Sequence, residues 1–253
     1  DVRLQQYRSL WRCSMSQNLE HWERSFNKLC DLLLNTLTTD EHLSIELSGE
    51  QSYFMRLNNA KVRQSGTVLD GEVSLRLSHN QRTAIAALSF TGDLEVDSIW
   101  ALDALQELRQ ELPQLPVDPY LVLPQNYGSS REIYTGQLLA PDDATQAIWP
   151  MVHGVDFTGI YAAGAIVRAN GNSAGQRHWF ATETFCLDYS MIAPSEKAVK
   201  ATLAGQSWIP EQFQSLIEES KSQLQILDSP VKTIAPGRYR TYLAPAAIAE
   251  IMT

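Results

Sequence analysis

The sequence predicts an α+β fold, in which an antiparallel β-meander with flanking helices precedes a second α+β lobe built on a long β-hairpin. Residues 42–90 alternate apolar and polar side chains with the period of two of a half-buried strand. Residues 156–189 contain runs rich in small, β-branched and aromatic side chains on either side of a glycine- and asparagine-rich turn. Residues 17–37, 95–112 and 210–227 repeat apolar side chains at helical spacing.

The first predicted helix covers residues 17–37. Its apolar side chains form one stripe: Trp22, Phe26, Leu29, Cys30, Leu33 and Leu37. Because Cys30 belongs to this stripe, it is interpreted as a core residue.

The meander is predicted to contain about five strands between residues 42 and 90. Pairs of turn-forming residues stand at its expected joints: Gly49-Glu50, Asn58-Asn59, Asp70-Gly71 and His79-Asn80.

A second helix is predicted over residues 95–112. The apolar residues assigned to its inner side are Ile99, Leu102, Leu105, Leu108 and Leu112. Prolines at positions 113, 116 and 119 end it. The segment 113–136, which is dotted with proline and glycine, is the predicted boundary between two lobes.

The predicted domain organisation has three parts. Residues 1–115 form an N-terminal α+β lobe, residues 120–235 form a central α+β lobe with the long hairpin, and residues 236–253 begin a missing or truncated C-terminal domain. A short helix at 142–151 opens the central lobe. Asp142 or Asp143 is expected to cap it, and Trp149 to pack it down.

The long hairpin is the predicted functional element. Its first strand covers residues 156–168, its turn 169–175 and its second strand 176–189. The small residues of the turn leave backbone groups open, so the hairpin could accept an extended peptide at an exposed edge by strand addition. The candidate peptide-binding residues are Asn172, Ser173, Arg177 and His178. For Asn172 and Arg177, a network that stabilises the turn is an equally good interpretation.

The elements after the hairpin are a strand at 196–203 and a turn at 205–208. A helix over 210–227 follows, and Pro210 suits its first turn. Its expected inward side chains are Phe213, Leu216, Ile217, Leu224 and Leu227. A strand at 237–243 and a helix at 246–252 complete the prediction.

Composition and charge exclude several classes of protein. The chain has 253 residues and a net charge of −9. Residues 1–91 carry ten Lys and Arg against ten Asp and Glu, and residues 92–253 carry ten against nineteen, so the acidic excess lies in the second part. This argues against nucleic-acid binding there, because phosphate contacts need clustered cations. No apolar run is long enough for a membrane span and no signal peptide is evident.

The three cysteines, Cys13, Cys30 and Cys186, are odd in number and follow no pattern. This favours a reducing compartment and therefore a cytoplasmic protein. No C-x-x-C or H-E-x-x-H motif occurs in the sequence. His178 and Cys186 share a strand face but lie about 26 Å apart. A metal site built from this chain alone is therefore not expected.

Residues 171–175 match the G-x-S-x-G pattern of a nucleophile elbow, with Ser173 as the serine. That motif needs a strand-to-helix turn, whereas a strand is predicted to follow here. A self-contained hydrolase using Ser173 or a hidden metal site is kept as an alternative.

Three stretches resemble the TldD/PmbA family, also called modulators of DNA gyrase. They are residues 172–180 (NSAGQRHWF), residues 56–64 (RLNNAKVRQ) and residues 236–240 (PGRYR) with the run that follows to Ile251. The resemblance extends from about residue 41 to residue 253 and corresponds to the N-terminal half of a family member. Residues 162–164 and 236–239 resemble more closely the non-catalytic PmbA (TldE) branch.

The resemblance implies a place in a peptidase system. In the TldD branch, a helix with H-E-x-x-x-H in the C-terminal half holds zinc, and that motif is absent from this sequence. The chain is therefore expected to have no cofactor of its own and no independent catalysis. It is expected to bind a peptide or unfolded protein segment, and to pair with a TldD-like catalytic subunit or with itself. The alternatives are a zinc metallopeptidase whose catalytic half lies outside this chain, and a structural oligomerisation module.

Overall fold

The computed structural model describes the backbone of residues 2–252 and the side chains of residues 17–252. The helices are α1 (Val2–Asn35), α2 (Leu94–Glu111), a 3₁₀ turn (Leu112–Gln114), α3 (Pro141–Val152), α4 (Pro210–Leu227) and α5 (Pro245–Met252). The strands are β1 (His42–Asn58), β2 (Lys61–His79), β3 (Arg82–Ser89), β4 (Ser130–Tyr134), β5 (Asp156–Asn172), β6 (Arg177–Ile192) and β7 (Ala198–Gly205). The predicted α+β class is confirmed.

All seven strands belong to one sheet with the order β3-β2-β1-β5-β6-β4, and β7 also pairs with β6. Every pairing is antiparallel except that of β4 with β6. The long pairing of β1 with β5 joins the meander to the hairpin, so both predicted lobes contribute to the same sheet. The division of the chain into domains stays a prediction.

The meander has three long strands, and the prediction of about five was wrong. Gly49 and Gly71 lie opposite each other inside the β1–β2 ladder instead of in turns. A Cβ atom at Gly71 would lie 2.7 Å from the carbonyl oxygen of Phe90, and one at Gly49 would overlap the ring of Trp22. These glycines therefore allow neighbouring groups to pack closely against the sheet, which is a common reason for a glycine inside a strand.

The other two predicted joints of the meander are confirmed as tight turns. Asn59 and Ala60 have φ of 50° and 52°, and Asn80 and Gln81 have φ of 50° and 56°. Two consecutive residues with positive φ are the signature of a type I′ hairpin turn, which matches the twist of the strands it connects.

Helices α1 to α4 cover one face of the sheet. The odd-numbered residues of β1, β5 and β6 are the mainly buried ones, from Leu43 to Leu57 on β1 and from Trp179 to Met191 on β6. One apolar cluster lies under α1 and α2, and a second lies under α3 and α4. The even-numbered residues form the opposite face, which is called the open face below.

The predicted stripe of α1 is confirmed, because Trp22, Phe26, Leu29, Cys30 and Leu33 are buried. The prediction for α2 is only partly right. Ile99 is 61% exposed, whereas the face that meets the sheet includes the following residues: Ala101, Ala104, Leu105 and Leu108. Small alanines let this helix approach the sheet closely, and a search for large apolar residues overlooks them.

Helix α3 differs from its prediction in two details. Ala140 is the N-cap and has no side-chain cap hydrogen bond, and Asp142 and Asp143 lie in the first turn. There they face the positive end of the helix dipole. Trp149 is 45% exposed and contacts the ring of His153, while Ile148 is the residue that packs into the core.

Helix α4 has the predicted bounds, with Phe213 and Ile217 buried and Leu227 exposed. The strand predicted at 237–243 is wrong, because these residues are irregular and exposed. No strand within residues 2–252 lies beside them to supply the hydrogen bonds that a strand needs. The last helix is confirmed as α5 and buries no residue. Among the described residues, no helix has both the length and the apolar character needed to cross a membrane.

Candidate functional site

Asn172 organises the turn of the long hairpin. It is 3% exposed, and its side-chain oxygen accepts hydrogen bonds from the backbone N–H groups of Ala174 (3.1 Å) and Gln176 (3.2 Å). Such Asx contacts hold a turn in shape. This geometry fits the interpretation of Asn172 as part of a network that stabilises the turn.

Ser173 is bound to the start of β1. Its Oγ accepts a hydrogen bond from the backbone N–H of Leu43 (3.2 Å), and its own N–H donates to the carbonyl of Leu43 (2.9 Å). The residue lies between two strands, so the strand-to-helix turn of a nucleophile elbow is not present. The geometry therefore gives Ser173 no support as a nucleophile.

Arg177 and His178 point to opposite faces of the sheet, as neighbours on a strand do. The Arg177 guanidinium lies on the helical side, where Nη2 donates to Asp31 of α1 (3.0 Å) and Nη1 donates to the carbonyl of Gln176 (3.1 Å). His178 lies on the open face, with Nδ1 2.9 Å from Oγ of Ser130 on β4. The four predicted residues therefore do not converge on one point.

The hairpin does not offer the exposed edge that strand addition requires, and this part of the prediction was wrong. Strand β5 lies between β1 and β6. Strand β6 pairs with β4 along residues 178–182 and with β7 along residues 185–192. The long runs of small and aromatic residues indicate central strands, which have a neighbouring strand along each edge.

A central groove of about 510 Å³ lies in the middle of the open face. Two rows of side chains that cross the sheet form its floor. In the first row, Glu46 lies opposite Asn170, which lies opposite His178. In the second row, Ser48 lies opposite Arg168, which lies opposite Phe180.

The central groove combines both signs of charge with an aromatic surface. Glu46 and Glu72 contribute carboxylates, and Arg168 contributes a guanidinium whose Nη1 donates to the carbonyl of Val167 (2.8 Å). Phe180 of β6, which lies beside Arg168, is 37% exposed and supplies the aromatic surface. The groove can therefore accept both hydrogen-bond donors and acceptors, together with an apolar group.

A second hollow, of about 480 Å³, lies at one end of the same face. The segment 121–127 forms one wall, and His42, Ser44, Arg76 and Ser78 form the other. Both hollows lie on the open face, and of the four predicted residues His178 alone lines the central groove.

Sequence reasoning missed Glu46, Glu72, Arg168 and Phe180. The alternation along β1 shows that Glu46 and Ser48 share a face. The order of the strands then decides that residues far apart in sequence stand beside them. No local signal in the sequence carries that order.

The thiols are not activated. Burial raises the pKa of Cys30 to about 12. The pKa of Cys186 is also raised, mainly by burial and to a smaller extent by the negative charge of Asp188. Both are free thiols, and Cys13 lies outside the described side chains. In the part of the chain with described side chains, no three His, Cys, Asp or Glu residues group as metal ligands. The described His, Cys, Asp and Glu side chains therefore do not fit a zinc site.

Comparison with known proteins finds likeness at the level of structure. No protein-family profile matches this sequence, and no curated protein matches it. The fold is similar to that of TldE from Thermococcus kodakarensis, with a TM-score of 0.57 and 12% identity over 79% of this chain and 47% of that chain.

Two further solved structures have the same fold, and each is described as a putative modulator of DNA gyrase. The protein from Thermotoga maritima gives a TM-score of 0.56 at 18% identity, covering 85% of this chain and 50% of that chain. The protein from Bacteroides thetaiotaomicron gives 0.55 at 12% identity, covering 80% and 49%. These neighbours are TldD/PmbA proteins, the family that the sequence resembles. The chain spans about half the length of each.

Proposed function

We propose that this chain is the N-terminal portion of a TldD/PmbA-like peptidase system, which binds peptide and pairs with a metallopeptidase subunit without catalysing hydrolysis itself. The observation that carries the proposal is the central groove on the open face of the sheet, in a fold shared with TldE. Cytoplasmic location is part of the proposal, supported by the free thiols of Cys30 and Cys186.

The central groove suits an extended peptide better than it suits a small rigid ligand. Its charged groups lie in rows across the sheet, with Arg168 between Ser48 and Phe180. A guanidinium can bind a carboxylate or peptide carbonyls, and the carboxylates of Glu46 and Glu72 can bind amines or amide N–H groups. Phe180 adds a surface for an apolar side chain.

The peptide proposal predicts a specific loss of binding. Replacing Arg168 with Ala should weaken binding of a fluorescein-labelled tryptic digest of casein by about tenfold or more, because a hydrogen bond to a charged group contributes about 1.5–3 kcal/mol. Phe180→Ala should have a similar effect. Fluorescence anisotropy measures both.

The matched control is Lys200→Ala, which removes an exposed cation elsewhere on the open face. Its affinity should equal that of the wild-type chain. Equal affinity of all the variants, or no binding by the wild-type chain, would remove the groove from the proposal.

Pairing and catalysis are tested together. A TldD-like subunit from the same organism, mixed with this chain, should give a heteromeric complex in native mass spectrometry and should cleave peptide only when that subunit is present. Peptide cleavage by this chain alone in the presence of zinc would contradict the proposal and favour a self-contained peptidase.

A further inference from the structure

One edge of the sheet is left unpaired along the first half of β2. Strand β3 pairs with β2 only from Glu72 to His79. The carbonyl of Gly71 accepts the N–H of Phe90 (2.7 Å), which is the last contact on that side. Residues 61–70 pair with β1 on their inner side, and no other described strand lies on their outer side.

The outward backbone groups of this edge can be identified. Because the Gly71 carbonyl points outwards and neighbouring residues alternate, Ser65, Thr67 and Leu69 also direct their N–H and C=O groups outwards. A bulge between Arg56 and Leu57 brings Val62 opposite Leu57, so Val62 takes the same outward orientation.

The centre of this edge has little protection against another strand. Proteins usually guard such edges with charges, prolines, bulges or short strands. Here the bulge and the charges of Lys61, Arg63 and Asp70 lie towards the two ends of the edge. Residues 64–69 contain neither charge nor proline. Two apolar side chains on the same side of the strand are exposed, Val62 by 43% and Leu69 by 60%. An exposed edge of this kind fits a strand from another chain.

We propose that a second copy of this chain pairs antiparallel with this edge, about a two-fold axis through Gly66. In this register Ser65 lies opposite Thr67 of the second copy. Arg63, the extra residue of the bulge, has no residue opposite it, so Val62 lies opposite Leu69 and Lys61 lies opposite Asp70 of the second copy. About eight main-chain hydrogen bonds form, because each hydrogen-bonded pair exchanges two.

Three features favour this register. The two exposed apolar residues, Val62 and Leu69, meet each other. The cation at the beginning of the edge, Lys61, meets the anion at its end, Asp70. The pairing also uses the free edge completely, since it begins after the turn at Asn59 and stops where β3 begins.

The side chains are also compatible with the axis. Gly66 has no side chain, and the ring of Phe54 from β1 fills the space beside it, 3.0 Å from where a Cβ would lie. Strands around a two-fold axis approach closely at such a pair. Lys61 and Asp70 lie on the open face, opposite Asn58 and Glu50 of β1, so they meet on the same side.

The charges favour a second copy over an unrelated peptide. One strand carries two cations, Lys61 and Arg63, at one end and the anion Asp70 at the other, so unlike charges meet when the strand is paired with a reversed copy of itself. An isologous interface requires this self-complementarity, whereas binding of varied peptides does not. This proposal is independent of the peptide-binding function proposed above. If the second copy does not bind, the peptide-binding proposal still stands.

Sedimentation equilibrium of the 253-residue chain tests the proposal. The wild-type chain should be a dimer that dissociates on dilution. Thr67→Pro removes an outward N–H and adds a ring to the edge, so this variant should be a monomer. Thr67→Ala keeps the N–H and should remain a dimer. A wild-type monomer, or a Thr67→Pro dimer of unchanged affinity, would overturn the proposal.

Charge exchange tests the register without disturbing the backbone. Lys61→Glu and Asp70→Lys should each raise the dimer dissociation constant about tenfold, because each places like charges together twice in the dimer. The double variant restores opposite charges and should recover the wild-type value. Failure to recover would contradict the register. A monomer whose amides at 65–69 become protected by added casein peptides would assign the edge to peptide instead.

Discussion

At the scale of single residues, the best-defined charged contact joins three elements near the start of the sheet. Arg109 of α2 donates from Nε and Nη2 to the two carboxylate oxygens of Glu41 (2.9 and 2.8 Å). Nη2 also donates to the carbonyl of Thr36 after α1 (2.8 Å). The bond from Arg109 lowers the pKa of Glu41 to about 2, although burial opposes it. The Glu41 side chain is 8% exposed, so solvent screens the pair little.

This pair predicts an acid-dependent part of the stability. The pKa of Glu41 is lower in the folded state than its ordinary value of 4.5, so its contribution is present above that value and is lost as the pH falls towards about 2. Glu41→Gln should lower the free energy of unfolding at pH 7 by about 2–3 kcal/mol and flatten its decline between pH 5 and 2. Urea titrations across this range measure both effects.

The matched control for Glu41 is Glu20→Gln, because Glu20 forms an exposed pair with Arg24 at 3.8 Å. Its effect should be small, as it is for most surface pairs. An unchanged pH profile in Glu41→Gln would show that Arg109 does not stabilise the folded state through this carboxylate.

At the scale of elements, glycines inside strands set how closely neighbouring segments approach. Gly71 on β2 faces Phe90, which packs edge-on against Trp22 of α1 at a ring distance of 5.6 Å. The same glycine accepts the N–H of Phe90, so the chain after β3 is held on both sides. The residue is therefore a packing site rather than a turn.

Gly71→Ala should destabilise the fold by about 1–3 kcal/mol, because the added Cβ would lie 2.7 Å from a backbone carbonyl that cannot rotate away. Gly205→Ala on β7 is the control, since its Cβ would make an ordinary contact of 3.6 Å with Phe185. Thermal unfolding compares the two. Equal changes in the two variants would contradict the role of the close contact with the Phe90 carbonyl at Gly71.

At the scale of the whole molecule, one sheet connects two apolar clusters. Strands β1, β5 and β6 each contribute residues to both, such as Leu47 and Met55 of β1. Loss of either cluster therefore removes contacts from strands that the other cluster also uses. The two predicted lobes should therefore unfold together, in spite of the proline-rich segment between them.

This cooperativity can be measured with one truncation in each cluster. Leu33→Ala in α1 and Ile217→Ala in α4 should each cost about 2–5 kcal/mol and shift one common transition. Hydrogen exchange of α1 and α4 amides should report the same free energy of opening. Two separate transitions, with each variant affecting its own half alone, would support independent domains.

Local patterns explain why much of the fold could be predicted. The stripe from Trp22 to Leu33 and the alternation from Leu43 to Leu47 reflect which residues must leave water, and this depends on neighbours in sequence. The turns at Asn59 and Asn80 follow from the tolerance of asparagine for positive φ. The glycines at 49 and 71 were misinterpreted because a glycine that relieves close packing and one that forms a turn look alike in sequence.

The candidate site was less predictable. Of the residues that the sequence predicts for the site, His178 lines the central groove, whereas Asn172 and Ser173 stabilise a turn and Arg177 binds Asp31 on the other face. Parity along the strand separates Arg177 from His178, and this much could be read from the sequence. The partners of His178 could not, because Ser130 and Glu46 are distant in the chain.

Local sequence patterns predict the α+β class, most helices and strands and the tight turns, and they carry the resemblance to TldD/PmbA proteins. These depend on contacts within a few residues, where the period of apolar side chains and the conformational limits of the backbone act directly. Only the three-dimensional structure shows that β1 lies beside β5, that the even-numbered residues of β1, β5 and β6 form the open face, and that among the described strands the first half of β2 has no outer neighbour. Strand order depends on pairings between segments that are far apart in the chain. Such pairings leave no pattern among neighbouring residues from which they could be predicted.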